Sequence, residues 1–144
     1  MQVEHILQGK GRAVHTVRRI AKVSEAIAVL NQNHIGAVVV VTAGGEVAGI
    51  LSERDIVRKM GDDPTAFLNT PVEKVMTAKV ITCTRDDLVA TVMERMTAHR
   101  IRHMPIVESD GVTLCGIVSI GDVVKKKIEE TEQEASALRE YITH

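Results

Sequence analysis

Ser52 is followed three residues later by Asp55, and Ser119 is followed three residues later by Asp122. Each pair ends an apolar run that opens Gly49-Ile50 or Gly116-Ile117. A hydroxyl, a carboxylate and backbone N–H groups gathered where a strand runs into a helix suit a ligand rich in hydroxyls and oxyanions, such as a phosphorylated ribose. The same pattern also fits a plain strand end followed by an Asp N-cap. Arg102 and His103 are candidates for phosphate, the guanidinium as a bidentate fork. Arg54 stands beside Asp55, where it can reach phosphate or simply pair with that carboxylate. The run of Lys125, Lys126 and Lys127 reads as a solvated helix face.

Signs of catalysis are weak. Gly9 and Gly11 begin a G-x-G-x-x-G pattern, but the third glycine is missing and no clear strand precedes it. No P-loop, H-E-x-x-H or G-x-S-x-G stretch occurs. The six histidines are scattered, so no metal cluster is expected. The adjacent pairs Asp62-Asp63 and Asp86-Asp87 read as turn and cap residues. The chain is expected not to be an enzyme.

The bulk properties bound the rest. At 144 residues, with 44% apolar residues but one Phe, one Tyr and no Trp, the core must be aliphatic. So few aromatics argue against single-strand nucleic-acid binding, and a net charge of −1 supplies no basic field for nucleic acid or anionic membrane. Cys83 and Cys115 form no metal or redox spacing, which fits a reducing compartment. With no secretory signal and no apolar run near the length of a membrane span, a cytoplasmic protein is expected.

The helices and strands that position the two Ser–Asp pairs come from an internal repeat. Val3, Ile6 and Leu7 return as Val72, Val75 and Met76. Val14 and Thr16 return as Val80 and Thr82. Val23, Ile27, Leu30 and Ile35 match Val89, Met93, Met96 and Ile101 at an offset of 66, and one extra residue in the second turn makes the offset 67 at the Gly-to-Asp stretches. The chain therefore divides into units at 1–68 and 69–144. In each, a leader and a brief extended segment (14–16, 80–82) precede an amphipathic helix. For the second of these helices, Thr84 and Asp87 suggest a capping box. Strands at 37–41 and 47–51, and at 104–107 and 114–118, follow, joined by turns at Gly44-Gly45 and Asp110-Gly111. A further helix opens at each Asp, short in the first unit (55–60) and running over 122–144 in the second. Residues 61–71 read as a connector. The terminal helix carries an apolar stripe of Val124, Ile128, Ala135, Leu138 and Ile142, which asks for cover either from its own domain or from a second copy.

Tandem βαββα-like units ending in G-I-x-S-x-x-D resemble the CBS domain, named after cystathionine β-synthase. Residues 101–107 and 116–122 look like that family's two most recognisable motifs. The first unit matches in Ile35-Gly36 and in 49–55, but has Gly36, Ala37 and Val39 where the second has Arg102, His103 and Pro105. The resemblance covers nearly the whole chain, and it implies an α/β fold of the α+β type: two CBS units packed as a pseudo-twofold pair (a Bateman module) with a C-terminal helix. It implies two clefts for adenosine ligands, namely AMP, ADP, ATP or NAD(H), with S-adenosylmethionine ranked below these. By position, Asp122 and Asp55 would hold ribose hydroxyls, with Ser119 and Ser52 beside them. Ile117 and Ile50 would flank the adenine, and Thr16 and Thr82 would line the cleft of the opposite unit. With Arg102-His103 in the second unit against Gly36-Ala37 in the first, the cleft around Asp122 is expected to be the stronger phosphate site; the alternative, since clefts in this family are composite, is that Arg102 leans into the other pocket and Arg54 partly compensates in the first. The resemblance further implies a homodimer, a disc of four units, that signals to an unknown effector protein. The alternative is an oligomerisation scaffold whose clefts are vestigial.

Overall fold

The β-branched runs Ala37–Val41 (β2) and Val47–Ser52 (β3) pair antiparallel, turning at Gly45 with φ +83°. Leu114–Ser119 (β6) pairs antiparallel with His103–Val107 (β5), turning at Gly111 with φ +80°. A short parallel strand joins each hairpin, Thr16–Arg18 (β1) beside β2 and Cys83–Thr84 (β4) beside β5. The computed structural model, which describes residues 1–11 and 13–143, thus holds two three-stranded sheets of order β1-β2-β3 and β4-β5-β6. The extended segments begin later than the sequence suggests. Thr16 opens β1 and Thr82 lies just outside β4. In β1 the partner of Thr16 is Val39, whose counterpart in the second unit is Pro105. A proline has no N–H for the ladder, and β4 is the shorter strand.

The helices follow the repeat: Val3–Lys10 (α1), Val23–Asn33 (α2), Glu53–Lys59 (α3), Pro64–Leu68 (α4), Val89–His99 (α5) and Ile120–Thr143 (α6). Helix α2 buries Val23, Ala26 and Leu30, and α5 buries Val89, Val92 and Met96, at the same offset of 66. Thr84 and Asp87 do not cap α5, whose N-cap is Leu88. Instead the Asp87 carboxylate accepts the Thr84 N–H at 2.9 Å and closes a turn before the helix. The connector contains α4, with Pro64 in its first turn and Asp63 capping Ala66 at 3.1 Å, and it buries Phe67. Asp followed by Pro is a helix-start signal that the turn-like composition concealed.

Each leader packs into the other unit's core. Val3, Ile6 and Leu7 cluster with Met104, Ile106 and Val118, whereas Val72 and Val75 cluster with Val38, Val40 and Leu51. Backbone bonds fix both crossings. Val3 donates to the Asp87 carbonyl at 2.9 Å and Val89 to that of Met1 at 2.8 Å. In the other half, Val72 donates to Ala21 at 2.7 Å and Val23 to Thr70 at 2.9 Å. The repeated glycines make room for the leaders: a Cβ on Gly116 would lie 2.7 Å from Leu7 Cδ2, and one on Gly49 would lie 2.8 Å from Met76 Cγ and 2.9 Å from the Thr77 carbonyl oxygen. At the hairpin ends Val47 donates to the Val112 carbonyl at 2.8 Å, and Leu114 donates to that of Gly45 at 3.2 Å.

Candidate ligand-binding clefts

Both Ser–Asp pairs sit at strand-to-helix junctions, and there the serine is the cap. Ser52 Oγ accepts the Asp55 N–H at 3.2 Å, while an Asp55 carboxylate oxygen accepts both the Ser52 N–H and its hydroxyl at 3.0 Å. Ser119 and Asp122 repeat the exchange at 3.2 Å and 2.9 Å. The helices therefore start at Glu53 and Ile120, earlier than the expected aspartates, because a reciprocal box places the acid in the first turn. This box engages one carboxylate oxygen of each Asp, Oδ2.

A cleft of about 470 Å³ opens around the first junction. The first unit lines it with Ile50, Ser52, Arg54, Asp55 and Arg58, and the second unit lines it with Lys79, Arg100 and Arg102. Among the described residues five side chains of fixed positive charge thus line a cleft with two acids, Glu53 and Asp55. Arg54 lines the cleft with Asp55, and among the described residues the two make no ion pair. Arg102 lines this cleft and not the second, the alternative to the expected placement beside Asp122, although its carbonyl accepts the Ile120 N–H of its own unit's junction at 2.8 Å. Arg100 joins it there. It ends α5 in the left-handed conformation, φ +55°, and its repeat mate His34 ends α2 at φ +52°. Non-glycine residues rarely adopt that conformation.

The second cleft, about 400 Å³, is lined by Lys10, Val14, His15, His34, Ile117 and Ser119 among others. Among the described residues its one side chain of fixed charge is Lys10, whose ammonium donates to the Asp122 carboxylate at 2.7 Å and to the Ile117 carbonyl at 3.1 Å. Burial by itself raises the Asp122 carboxyl, but Lys10 and the Ser119 N–H together outweigh it and hold the group below its ordinary value. His103 and Gly36 line both clefts. Burial and the Lys10 charge hold the His103 imidazole below its usual pKa, against the pull of Glu53 and Asp122. Thr16 and Thr82 line neither cleft. Arg58, Lys79, Arg100 and Lys10 were not singled out from the sequence. An arginine in the helix-ending position where glycine is usual was the available sign for Arg100. Lys10 gave none, since its partner is 112 residues away.

Two sheets with matched Ser–Asp junctions, leaders exchanged and a cleft at each junction, define a tandem-unit protein. The chain belongs to the CBS domain family, which it matches over residues 11–62 and 72–129. It is 39% identical over 124 residues to the CBS domain-containing protein CBSX3, mitochondrial, of Arabidopsis thaliana, a match over 83% of this chain and 59% of that protein's length. The crystal structure of the CBS-domain containing protein ATU1752 from Agrobacterium tumefaciens has a TM-score of 0.82 at 42% identity, covering 88% of this chain and 99% of that one. The CBS domain pair of protein MJ0100, solved in complex with 5′-methylthioadenosine and S-adenosyl-L-methionine, has a TM-score of 0.75 at 26% identity, covering 87% and 98%. Among the described residues no helix is long and apolar enough to cross a membrane.

Proposed function

We propose that this CBS pair is a regulatory module that binds an adenine nucleotide in the cleft around Asp55 and passes the signal to another protein. The observation that carries it is the company Asp55 keeps. A carboxylate and hydroxyl suited to ribose lie beside Ile50, an aliphatic flank suited to a purine, and beside five fixed cations suited to phosphate. AMP, ADP, ATP and NAD(H) all carry the required anionic groups. S-adenosylmethionine, with its sulfonium cation, is a poorer electrostatic match to this cleft, although the MJ0100 pair was solved with it. Asp122 is not among the residues lining the second cleft, and Lys10 already holds its Oδ2, so we rank that site second, reversing the order expected from the sequence. Buried Cys83, its thiol pushed up to about 12 by burial, and the half-buried Cys115 are compatible with the reducing cytoplasm expected here. A homodimer of four units fits the exposed Ile20 and Val57, 77% and 76% accessible.

Calorimetry with AMP, ADP, ATP and S-adenosylmethionine tests the proposal. Asp55→Ala and Arg102→Ala are each expected to weaken the same nucleotide phase by roughly one to two orders of magnitude, the range for losing a charge-assisted hydrogen bond. Asp122→Ala should leave that phase intact. If Asp122→Ala alone removes it, the assignment of clefts is wrong. If no adenosine ligand binds, the module is a scaffold and the clefts are vestigial.

A further inference from the structure

Helix α6 runs for 24 residues, roughly 36 Å, and of the described residues beyond 130 only Ala135 is not exposed. Its inner side is already used: Val123 is buried, and Glu130 lies 3.6 Å from the Met1 amino group. A different side carries the apolar residues. Val124, Ile128, Leu138 and Ile142 are 41%, 53%, 59% and 74% accessible. With Thr131 and Ala135 they recur at alternating intervals of four and three, the a/d spacing of a coiled-coil seam.

We infer that α6 pairs with α6 of a second copy of this chain as a parallel two-stranded coiled coil. The flanking charges select both the occupant and its direction. With Ile128, Ala135 and Ile142 at a, the g positions are Lys127 and Glu134, and the e positions following them are Glu132 and Arg139. In a parallel pair each g residue faces the next e residue across the seam. Lys127 then meets the partner's Glu132, Glu134 meets the partner's Arg139, and symmetry repeats both ion pairs. Run antiparallel in full overlap, the same helices set Glu132 against the partner's Glu132, Glu134 against the partner's Glu134, and Lys125 against the partner's Arg139. Antiparallel registers shifted by a heptad replace the repulsion by opposite-charge pairs but leave two of the six seam residues on each helix uncovered. This surface is separate from the nucleotide clefts and does not depend on them.

The full chain at micromolar concentration, with no nucleotide added, should sediment as a dimer of the 15.7-kDa protomer. The variant carrying Leu138→Glu and Ile142→Glu, both on the exposed end of α6, should dimerise at least about tenfold more weakly than the wild type, whatever Ile20 and Val57 add to the contact, with unchanged circular dichroism of the folded body. Glu134→Arg should weaken the dimer roughly tenfold, and adding Arg139→Glu should restore it. Leu138→Cys should cross-link to its own symmetry mate in a glutathione redox buffer, because only a parallel pair brings position 138 opposite itself. A monomeric wild-type chain overturns the pairing, whether the seam is bare or reserved for a helix of another protein. A dimer indifferent to Leu138→Glu and Ile142→Glu places the contact elsewhere and also overturns it. Failure of the cross-link, or of the Arg139→Glu rescue, overturns the parallel direction.

Discussion

Single residues here serve two demands at once, and Arg100 shows the conflict most clearly. Its backbone is left-handed at φ +55° while its side chain lines the cationic cleft. Left-handed backbone costs a non-glycine residue about 1–2 kcal/mol, against roughly 0.5–1 kcal/mol of extra unfolded-state entropy that glycine would bring. Arg100→Gly is therefore expected to stabilise the fold by several tenths to about 1 kcal/mol while weakening nucleotide binding roughly tenfold. Urea unfolding and calorimetry on the same variant check the two halves. A variant that loses stability and keeps affinity would show that the arginine is there for structure alone. Lys10 has the opposite character: a single side chain that lines the second cleft and pairs with the Asp122 carboxylate from 112 residues away.

Among the elements, the two junctions are alike in chemistry and unlike in their surroundings. Gly49 in β3 and Gly116 in β6 both lie beneath a leader, but what each would strike on gaining a methyl group differs. At Gly116 the nearest atom is the end of the Leu7 side chain, which can rotate away; at Gly49 the Thr77 carbonyl oxygen stands 2.9 Å off and belongs to a backbone bridge with Ile50. Gly49→Ala is expected to cost about 1–3 kcal/mol, as overpacking does, and Gly116→Ala less. Chemical denaturation of the two variants side by side measures the difference. Equal losses would mean that Leu7 has no freedom to yield.

On the scale of the whole molecule, the exchange of leaders makes the two units one folding body. Leu7 precedes the first sheet in the chain yet completes the core of the second, and Val72 does the reverse. Neither core is complete without the other half. Leu7→Ala removes a side chain only 2% accessible and is expected to cost about 2–5 kcal/mol. Unfolding should remain a single transition, with the slowest-exchanging amides of both sheets losing protection together. Two transitions, or a loss confined to β5 and β6, would mean that the units fold separately.

The sequence by itself carried the repeat, and with it the family, the two hairpins and the Ser–Asp pairs. Those features rest on patterns within about ten residues: β-branched runs, a turn with glycine at positive φ, a hydroxyl three residues before an acid. Even locally it misplaced helix starts, because a capping box and a lone Asp cap read alike until the N–H groups are assigned. Helix α4 was masked by its turn-like composition. What only the tertiary structure decided is which residues share a cleft. Arg102 was read with its sequence neighbours and so with Asp122, but the units meet across their strands, and the interface hands Arg100 and Arg102 to Asp55. Lys10 reaches Asp122 only because α1 crosses to the far sheet. Pairings formed across an interface leave no periodicity in a single chain, since nothing local constrains a charge whose partner is 112 residues away.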